Sequence, residues 1–424
     1  MLKSMPLRKA FFVSIRHDFF RKIPPLVFMT NFAATTVVCS TVPHHKMALH
    51  STIASEAGNV LAAIVYISEG RRRHVLEEIL AVGRSDPRVL LLNVFEDSQY
   101  NRTGLTLTST CPEQLQRIAV SLVQKAVELI DLREHTALHP RLGVADHVSV
   151  HPLHSVSVHP LHSGKFFTTM STAAECAQAI GEKVAVTTNI PVYLYGHAHT
   201  QGRKLAEIRR QLGYFKPVAS SSNSTHSPAV GPSVVSNDSA STTSYSSPSL
   251  WEGALPFRSL DHYPPDLGPT QVPEGLGVTT VGAVPWLINY NVPLLSASLQ
   301  QAKLLSRAVS ERGGGLQYVE AMALSHEGGA IEVACNLLNP QATPPEAVQS
   351  FLEQAVRQND SKQSNSMTAG LGGVLGVQGC SSLSTMYSRD QPQSLQGIQV
   401  QKGYCTGKTV EELVELTLSS QTHF

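Results

Sequence analysis

From Val60 onward, apolar runs of strand length alternate with segments of helical period, and that alternation runs through the chain twice, with a break near the middle. This order constrains the fold more than any single residue does. A strand buries one face and a helix one stripe, so each must pack on the other, and the sequence predicts an α+β fold. The expectation is two sandwiches, each a sheet with helices on one face. Ferredoxin-like βαββαβ units fit the order of the elements.

In detail, 60–67 reads as a buried strand, ended by Ser68-Glu69-Gly70, with a helix over 71–80. A second strand is expected over 89–95 and a third over 104–108, joined by the polar loop Glu96-Asp97-Ser98-Gln99-Tyr100-Asn101-Arg102-Thr103. The stretch 119–132 has helical period, with Ala119, Leu122, Val123, Ala126, Val127 and Ile130 on one face. Helix 171–185 and strand 190–195 follow. A helix over 200–213 carries Leu205, Ile208 and Leu212 on one side. Its Arg203, Lys204, Arg209 and Arg210 read as a solvated face. The second round comprises strand 286–296, helix 299–312 stopped by Gly313-Gly314-Gly315, and strands 319–324 and 330–336. It ends with helix 345–358, a short strand from 400 and a helix over 410–418.

The chemistry concentrates between His135 and His147, His-Thr-Ala-Leu-His-Pro-Arg-Leu-Gly-Val-Ala-Asp-His. Pro140 fixes its own φ and biases His139 away from helix, and Gly143 permits a turn. His139 is therefore expected just past a helix end, held stiffly, with Arg141 and Asp146 close by. A near-neutral pKa suits imidazole to proton transfer. From the residues alone, a satisfied, partly buried loop histidine is the simpler account.

Three segments differ in composition. Residues 1–58 carry Lys3, Arg8, Lys9, Arg16, Arg21 and Lys22, with only Asp18 opposing them before Glu56. That is the balance of an organelle transit peptide, or of an extended or misassigned start. Residues 218–249 and 359–397, rich in Ser, Gly, Gln and Thr, bury too little to fold and read as disordered insertions. The octamer Val-Ser-Val-His-Pro-Leu-His-Ser occurs twice in tandem over 148–163, too short for a structural repeat and read as a local duplication or as a splicing or gene-prediction artefact. It supplies His151, His154, His159 and His162, but no acidic or thiol ligand accompanies them, so no metal site is expected. The formal net charge of +1 sets up no field that would attract nucleic acid or anionic lipid. Six scattered cysteines without a C-x-x-C pair suit free thiols in a reducing compartment. No apolar run reaches the length of a membrane span.

Five motifs then occur in one order: Ser68-Glu69-Gly70, Asn101-Arg102-Thr103, His139-Pro140-Arg141-Leu142-Gly143-x-x-Asp146, Pro191-Val192-Tyr193-Leu194-Tyr195-Gly196, and Asp266-x-Gly268-Pro269. In kind and order they resemble those of the glutamate formiminotransferases, folate enzymes of histidine breakdown. The likeness covers most of 60–358 and the closing segment. The chain departs from the pattern at Tyr66, where that family has Asn, at Phe95 and Leu138, where it has acids, and at Val284-Pro285, where it has a basic pair.

The resemblance implies a one-carbon transferase built from two ferredoxin-like subdomains with a ligand tunnel between them. The expected boundaries are 59–285, containing the insertion 218–249, and 286–424, containing 359–397, with no cyclodeaminase domain. It implies transfer of a formimino group from N-formimino-L-glutamate to tetrahydrofolate as co-substrate. His139 would be the general base, and Arg102 and Arg141 would hold carboxylates. The segment Gly268-Pro269-Thr270-Gln271-Val272-Pro273-Glu274-Gly275-Leu276-Gly277 would contact the folate. Glu69, Asn101, Asp146 and Asn291 would support the site. The partners would be these small molecules, with a homodimer left open, and the location cytoplasmic unless 1–58 targets an organelle. Two other readings stand beside this one: a folate-binding or scaffold homologue that has lost activity, and an interaction protein working through its insertions.

Overall fold

The computed structural model describes residues 60–153, 163–215, 251–252, 259–368 and 395–421. The basic start 1–58, the insertion 218–249, nearly all of the second octamer copy and most of the insertion 359–397 lie outside the described residues.

The first half runs β1 (Leu61–Ile67), α1 (Arg73–Gly83), β2 (Leu90–Asp97), β3 (Arg102–Ser109), α2 (Pro112–Leu129), β4 (Thr136–Ala137), β5 (Ala145–Pro152), α3 (Ser163–Thr188), β6 (Val192–Gly196), α4 (Leu205–Gln211), β7 (Trp251–Glu252) and β8 (Thr279–Ala283). Six of its strands form one sheet in the order β2-β3-β1-β5-β8-β6. The first four are antiparallel neighbours, while β8 lies parallel between β5 and β6. The second half runs β9 (Ile288–Leu295), α5 (Leu299–Val309), β10 (Val319–Ser325), β11 (Ile331–Leu337), α6 (Pro345–Thr368), β12 (Gln399–Val400), β13 (Tyr404–Cys405) and α7 (Val410–Gln421). Its sheet has the order β10-β11-β9-β12, with β13 also on β9, all antiparallel. The class is α+β, as the alternation predicts.

Period two explains the first sheet. Leu61, Ala63, Val65 and Ile67 of β1 join Leu105 and Leu107 of β3 and Val148 and Val150 of β5 in the main core. Val75, Leu76 and Ile79 of α1, Leu115, Ile118 and Leu122 of α2, and Ala177, Ile180 and Val184 of α3 pack on them. The intervening residues, Tyr66, Arg102, Thr106, His147, Ser149, His151, Tyr193, Tyr195 and Thr280, therefore project from the opposite face. Helix α7 covers one end of that face. Its Val410, Leu413, Val414 and Leu418 pack on Val60, Ala62 and Leu153, and the hydroxyls of Thr417 and Thr108 are 2.7 Å apart. The second sheet has its own core, Val292, Leu294, Val333 and Leu337 against Leu305, Val309, Val348 and Leu352.

Several expectations need correction. Helix α2 starts at Pro112, seven residues before the expected 119, because proline fits a first helical turn whose N–H has no partner anyway. The duplicated octamer predicts no strand over 145–152, yet β5 lies mid-sheet. The first copy's Val148, Ser149, Val150 and His151 alternate between core and opposite face. No strand is expected over 279–283 either, where β8 lies, because five residues are too few to show a period. Helix α4 has only 7 residues, against the expected 200–213. Helix α6 runs to Thr368, past the expected start of the second insertion. Among the described residues, no helix is long and apolar enough to cross a membrane.

Candidate active site

The His139 segment joins β4 to β5 and is clamped from two sides. The Ser68 amide donates to the Val144 carbonyl at 2.8 Å and its hydroxyl to the Gly143 carbonyl at 2.8 Å. From the other side the Val144 amide donates to the Leu276 carbonyl at 2.9 Å, and the Val278 amide to the Leu142 carbonyl at 3.0 Å. Gly277 sits between these bonds at φ +72°, and a Cβ there would lie 2.2 Å from the Leu142 oxygen. Only glycine adopts that conformation cheaply and admits that approach. The Ser68 turn and the chain at 276–278 thus form the walls that fix the His139 segment.

The His139 ring is half-buried, edge-on to Tyr100 at 5.2 Å and to Tyr214 at 6.3 Å between centroids. Its Nδ1 lies 2.6 Å from the Pro140 carbonyl oxygen. A carbonyl only accepts, so Nδ1 carries the proton and Nε2 presents a lone pair. Burial, then the charge of Arg102, pushes its pKa down to about 3, so the ring is neutral at physiological pH. This is the protonation state a general base needs.

Arg102 and Asp146 come together, but as an ion pair. Nη1 of Arg102 donates to Oδ2 of Asp146 at 2.7 Å, and both side chains are buried. Asp146 Oδ1 accepts the Leu142 amide at 2.5 Å. Burial alone would raise the Asp146 carboxyl; Arg102, Arg209 and the Leu142 amide outweigh it and hold it at about 2. The guanidinium of Arg102 also lies 4.4 Å over the Tyr66 ring. Arg141 is buried, donates from Nη2 to the His135 carbonyl at 2.8 Å, and is lowered to about 10 by burial.

Glu69 and Asn101 hold the backbone. Glu69 Oε1 accepts the amides of Arg71 and Arg72, each at 2.8 Å, so the carboxylate ties down the turn that leads into α1. Asn101, at φ +46°, accepts the Gly70 amide at 2.9 Å and donates to the Thr136 carbonyl at 3.1 Å. Asn291 lies on the other sheet, donating to Glu332 Oε2 at 3.1 Å. Glu332, 2% exposed, also accepts Tyr100 at 2.6 Å and Tyr404 at 2.8 Å.

The segment 268–277 runs beside the His139 loop. Val272 packs near Leu142, Tyr195 and Tyr214, while Gly275 and Gly277 press on the chain's own backbone and side chains. A small cleft opens between Tyr66, Phe95, Gly104 and Thr106 of the first sheet and Trp286, Asn289 and Thr406 on the side of the second. His139 does not line it. Tyr66 is the shared wall, its ring under Arg102 and its hydroxyl donating to Asn289 Oδ1 at 3.2 Å.

Sequence reasoning missed several residues here. His147 shares a 2.6 Å hydrogen bond with the Tyr195 hydroxyl and stacks on Tyr66, and burial drives its pKa well below the usual value. His151 places Nδ1 at 3.1 and 3.2 Å from the Val284 and Pro285 carbonyls and Nε2 at 2.7 Å from Ser149 Oγ. The alternation through β5 was the available signal for both. The basic residues of 200–213 do not all face solvent. Arg203 pairs with Asp266 and lies over Tyr193, while Arg209 turns inward over Tyr214, 4.5 Å from its centroid. Arg209 stands four residues after Leu205 and three before Leu212, on the apolar stripe rather than opposite it. Among the described residues no group of His, Cys, Asp and Glu is arranged to hold a metal ion.

The comparisons with known proteins agree with the motif order. The family model described as formiminotransferase domain, N-terminal subdomain, matches residues 60–284. The chain is 35% identical over 298 residues to a formiminotransferase cyclodeaminase-like protein of Arabidopsis thaliana, covering 69% of this chain and 87% of that one. It is 25% identical over 284 residues to the glutamate formimidoyltransferase of Streptococcus pyogenes serotype M1, covering 66% and 78%. The glutamate formimidoyltransferase of Thermoplasma acidophilum is also 25% identical, over 289 residues, covering 68% and 79%. With the family model spanning more than half of the chain, this protein belongs to the formiminotransferase family of transferases.

Proposed function

We propose that this chain transfers the formimino group of N-formimino-L-glutamate to N5 of tetrahydrofolate, in the cytosol, with His139 as the proton-transfer group. The observation that carries the reading is the His139 ring itself: Nδ1 is bonded to the Pro140 carbonyl and Nε2 is left as a base, between two tyrosines. N5 attacks the amidine carbon, forming a C–N bond while the C=N electrons move to nitrogen. Nε2 takes the N5 proton and returns it to the nitrogen of glutamate, whose bond to carbon then breaks as the C=N bond re-forms. One imidazole thus acts as base and then as acid.

The reading extends to architecture. Two ferredoxin-like subdomains, 59–285 and 286–424, would enclose a ligand tunnel. In each half, the first, second, third and last strands of a βαββαβ unit lie in the order second, third, first, last, which supports this. The segment from Gly268 to Gly277, zipped to the His139 loop, would contact the folate.

The test is His139→Gln. Turnover should fall by a factor of about 10² or more, while calorimetry still detects tetrahydrofolate binding. Turnover retained in that variant removes His139 from the chemistry. A second reading, a binding homologue without turnover, is favoured by one observation: the Tyr66 ring fills the space between Arg102 and His147. Tetrahydrofolate binding by the wild-type protein without consumption of formiminoglutamate would select that reading.

A further inference from the structure

We propose that Arg209 seats a carboxylate of the amino-acid donor beside His139, an assignment that rests on the transferase reading above. Three observations carry it. Helix α4 brings the guanidinium 4.5 Å over the face of Tyr214, and Tyr214 is itself edge-on to His139. Nε of Arg209 is buried with no hydrogen-bond partner among the described residues. A buried donor without an acceptor costs about 1–3 kcal/mol, so native proteins keep few of them and many serve a ligand. Third, the cation first expected to bind carboxylate is already engaged, because Arg102 is in an ion pair with Asp146.

Charge points the same way. Arg209 acts on Asp146, His139, His147 and Tyr195 together, which places its field at the reacting centre and not at a distant rim. Asp146 faces Arg102 at hydrogen-bond distance, and no carboxylate of the described residues forms an ion pair with Arg209. An arginine with donors to spare, in a site walled by tyrosines and neutral imidazoles, is a fork for a planar anion. Both substrates carry carboxylates. In a folate they sit beyond the aminobenzoyl spacer, far from N5; in the donor they lie a few bonds from the amidine carbon. An anion seat next to the base therefore suits the donor.

The experiment is steady-state kinetics on Arg209→Gln and Arg209→Lys, with L-glutamate binding followed by calorimetry. In Arg209→Gln the KM for formiminoglutamate should rise at least tenfold and L-glutamate binding should weaken in parallel. The KM for tetrahydrofolate should stay within twofold. Arg209→Lys, which keeps the charge but not the fork, should lie between the two and serves if the glutamine variant does not fold. An unchanged donor KM in both variants overturns the proposal. A rise confined to the tetrahydrofolate KM also overturns it, because the carboxylate would then be that of the folate tail. If wild-type protein binds L-glutamate, loses it with Arg209→Gln, and never turns over formiminoglutamate, the transferase reading fails and the seat stands.

Discussion

The hydroxyl of Tyr100, in the turn between β2 and β3, donates to the Glu332 carboxylate on β11 at 2.6 Å, and its ring rests edge-on to His139 at 5.2 Å. One side chain therefore ties the candidate base to the second sheet. Glu332 is buried and acceptor-only, and it takes Tyr100, Tyr404 and Asn291 as donors. Tyr100→Phe removes one donor and leaves the other two. Equilibrium denaturation should show a loss of about 1–3 kcal/mol. A variant as stable as the wild type would mean that the contact carries no weight between the sheets.

The pairing of Arg102 with Asp146 leads to a sharper expectation. Both are buried, so Asp146→Asn leaves a guanidinium without its countercharge, at a cost of about 3–5 kcal/mol. Replacing both together, Arg102→Met with Asp146→Leu, should recover much of that, since apolar substitutes for a buried pair are often tolerated. Denaturation curves of the two variants decide it. If the double replacement is as unstable as the single one, the pair is holding the His139 loop through more than charge.

How much of this was legible beforehand follows from period and length. The strands β1, β2, β9, β10 and β11 stood out because each is a long apolar run or sits beside a clear turn. Strands β5 and β8 did not, because their outward residues are His, Ser, Thr and Gly, which mimic loop composition when the chain is read one residue at a time. The motifs placed His139, Arg102, Asp146 and the Gly268–Gly277 segment in one neighbourhood. They did not show that Arg102 is spoken for by Asp146, or that Glu69 holds the backbone ahead of α1. Side-chain pairing across the fold has no local signature. Arg209 was misread because a charge cluster on a short helix was treated as a unit, although its residues point in different directions.

Three buried histidines and the half-buried His139 set the response to acid. Burial lowers His135 and His139 to about 3 and His151 to about 4, and drives His147 well down. Each takes up a proton near 6.5 when unfolded and resists it when folded. The unfolded state therefore binds more protons below that pH, and stability falls as pH drops from about 6.5 toward 4, by about 1.4 kcal/mol per unit for each group. Urea midpoints from pH 7.5 to 4.5 should decline accordingly. His151→Gln, whatever its stability at neutral pH, should flatten that slope by about one proton. An unchanged slope would mean that His151 titrates normally in the fold.

The last expectation concerns how the His139 loop is held. Gly277, at φ +72°, approaches the Leu142 carbonyl so closely that a Cβ would sit 2.2 Å from the oxygen. Gly202 has a similar φ of +64°, but nothing lies within 4 Å of a Cβ built there. Alanine at either position bears the conformational strain of a left-handed backbone, about 1–3 kcal/mol. Only at 277 must the chain also move, and what it would displace is the Leu142–Val278 hydrogen bond that anchors the segment between His139 and Asp146. Gly277→Ala should thus lose more stability than Gly202→Ala. Its amide exchange should quicken at Val144 and Val278, and not merely across the protein as a whole. Equal losses in the two variants, with exchange at Val144 unchanged, would show that the glycine serves its own turn and does not clamp the loop.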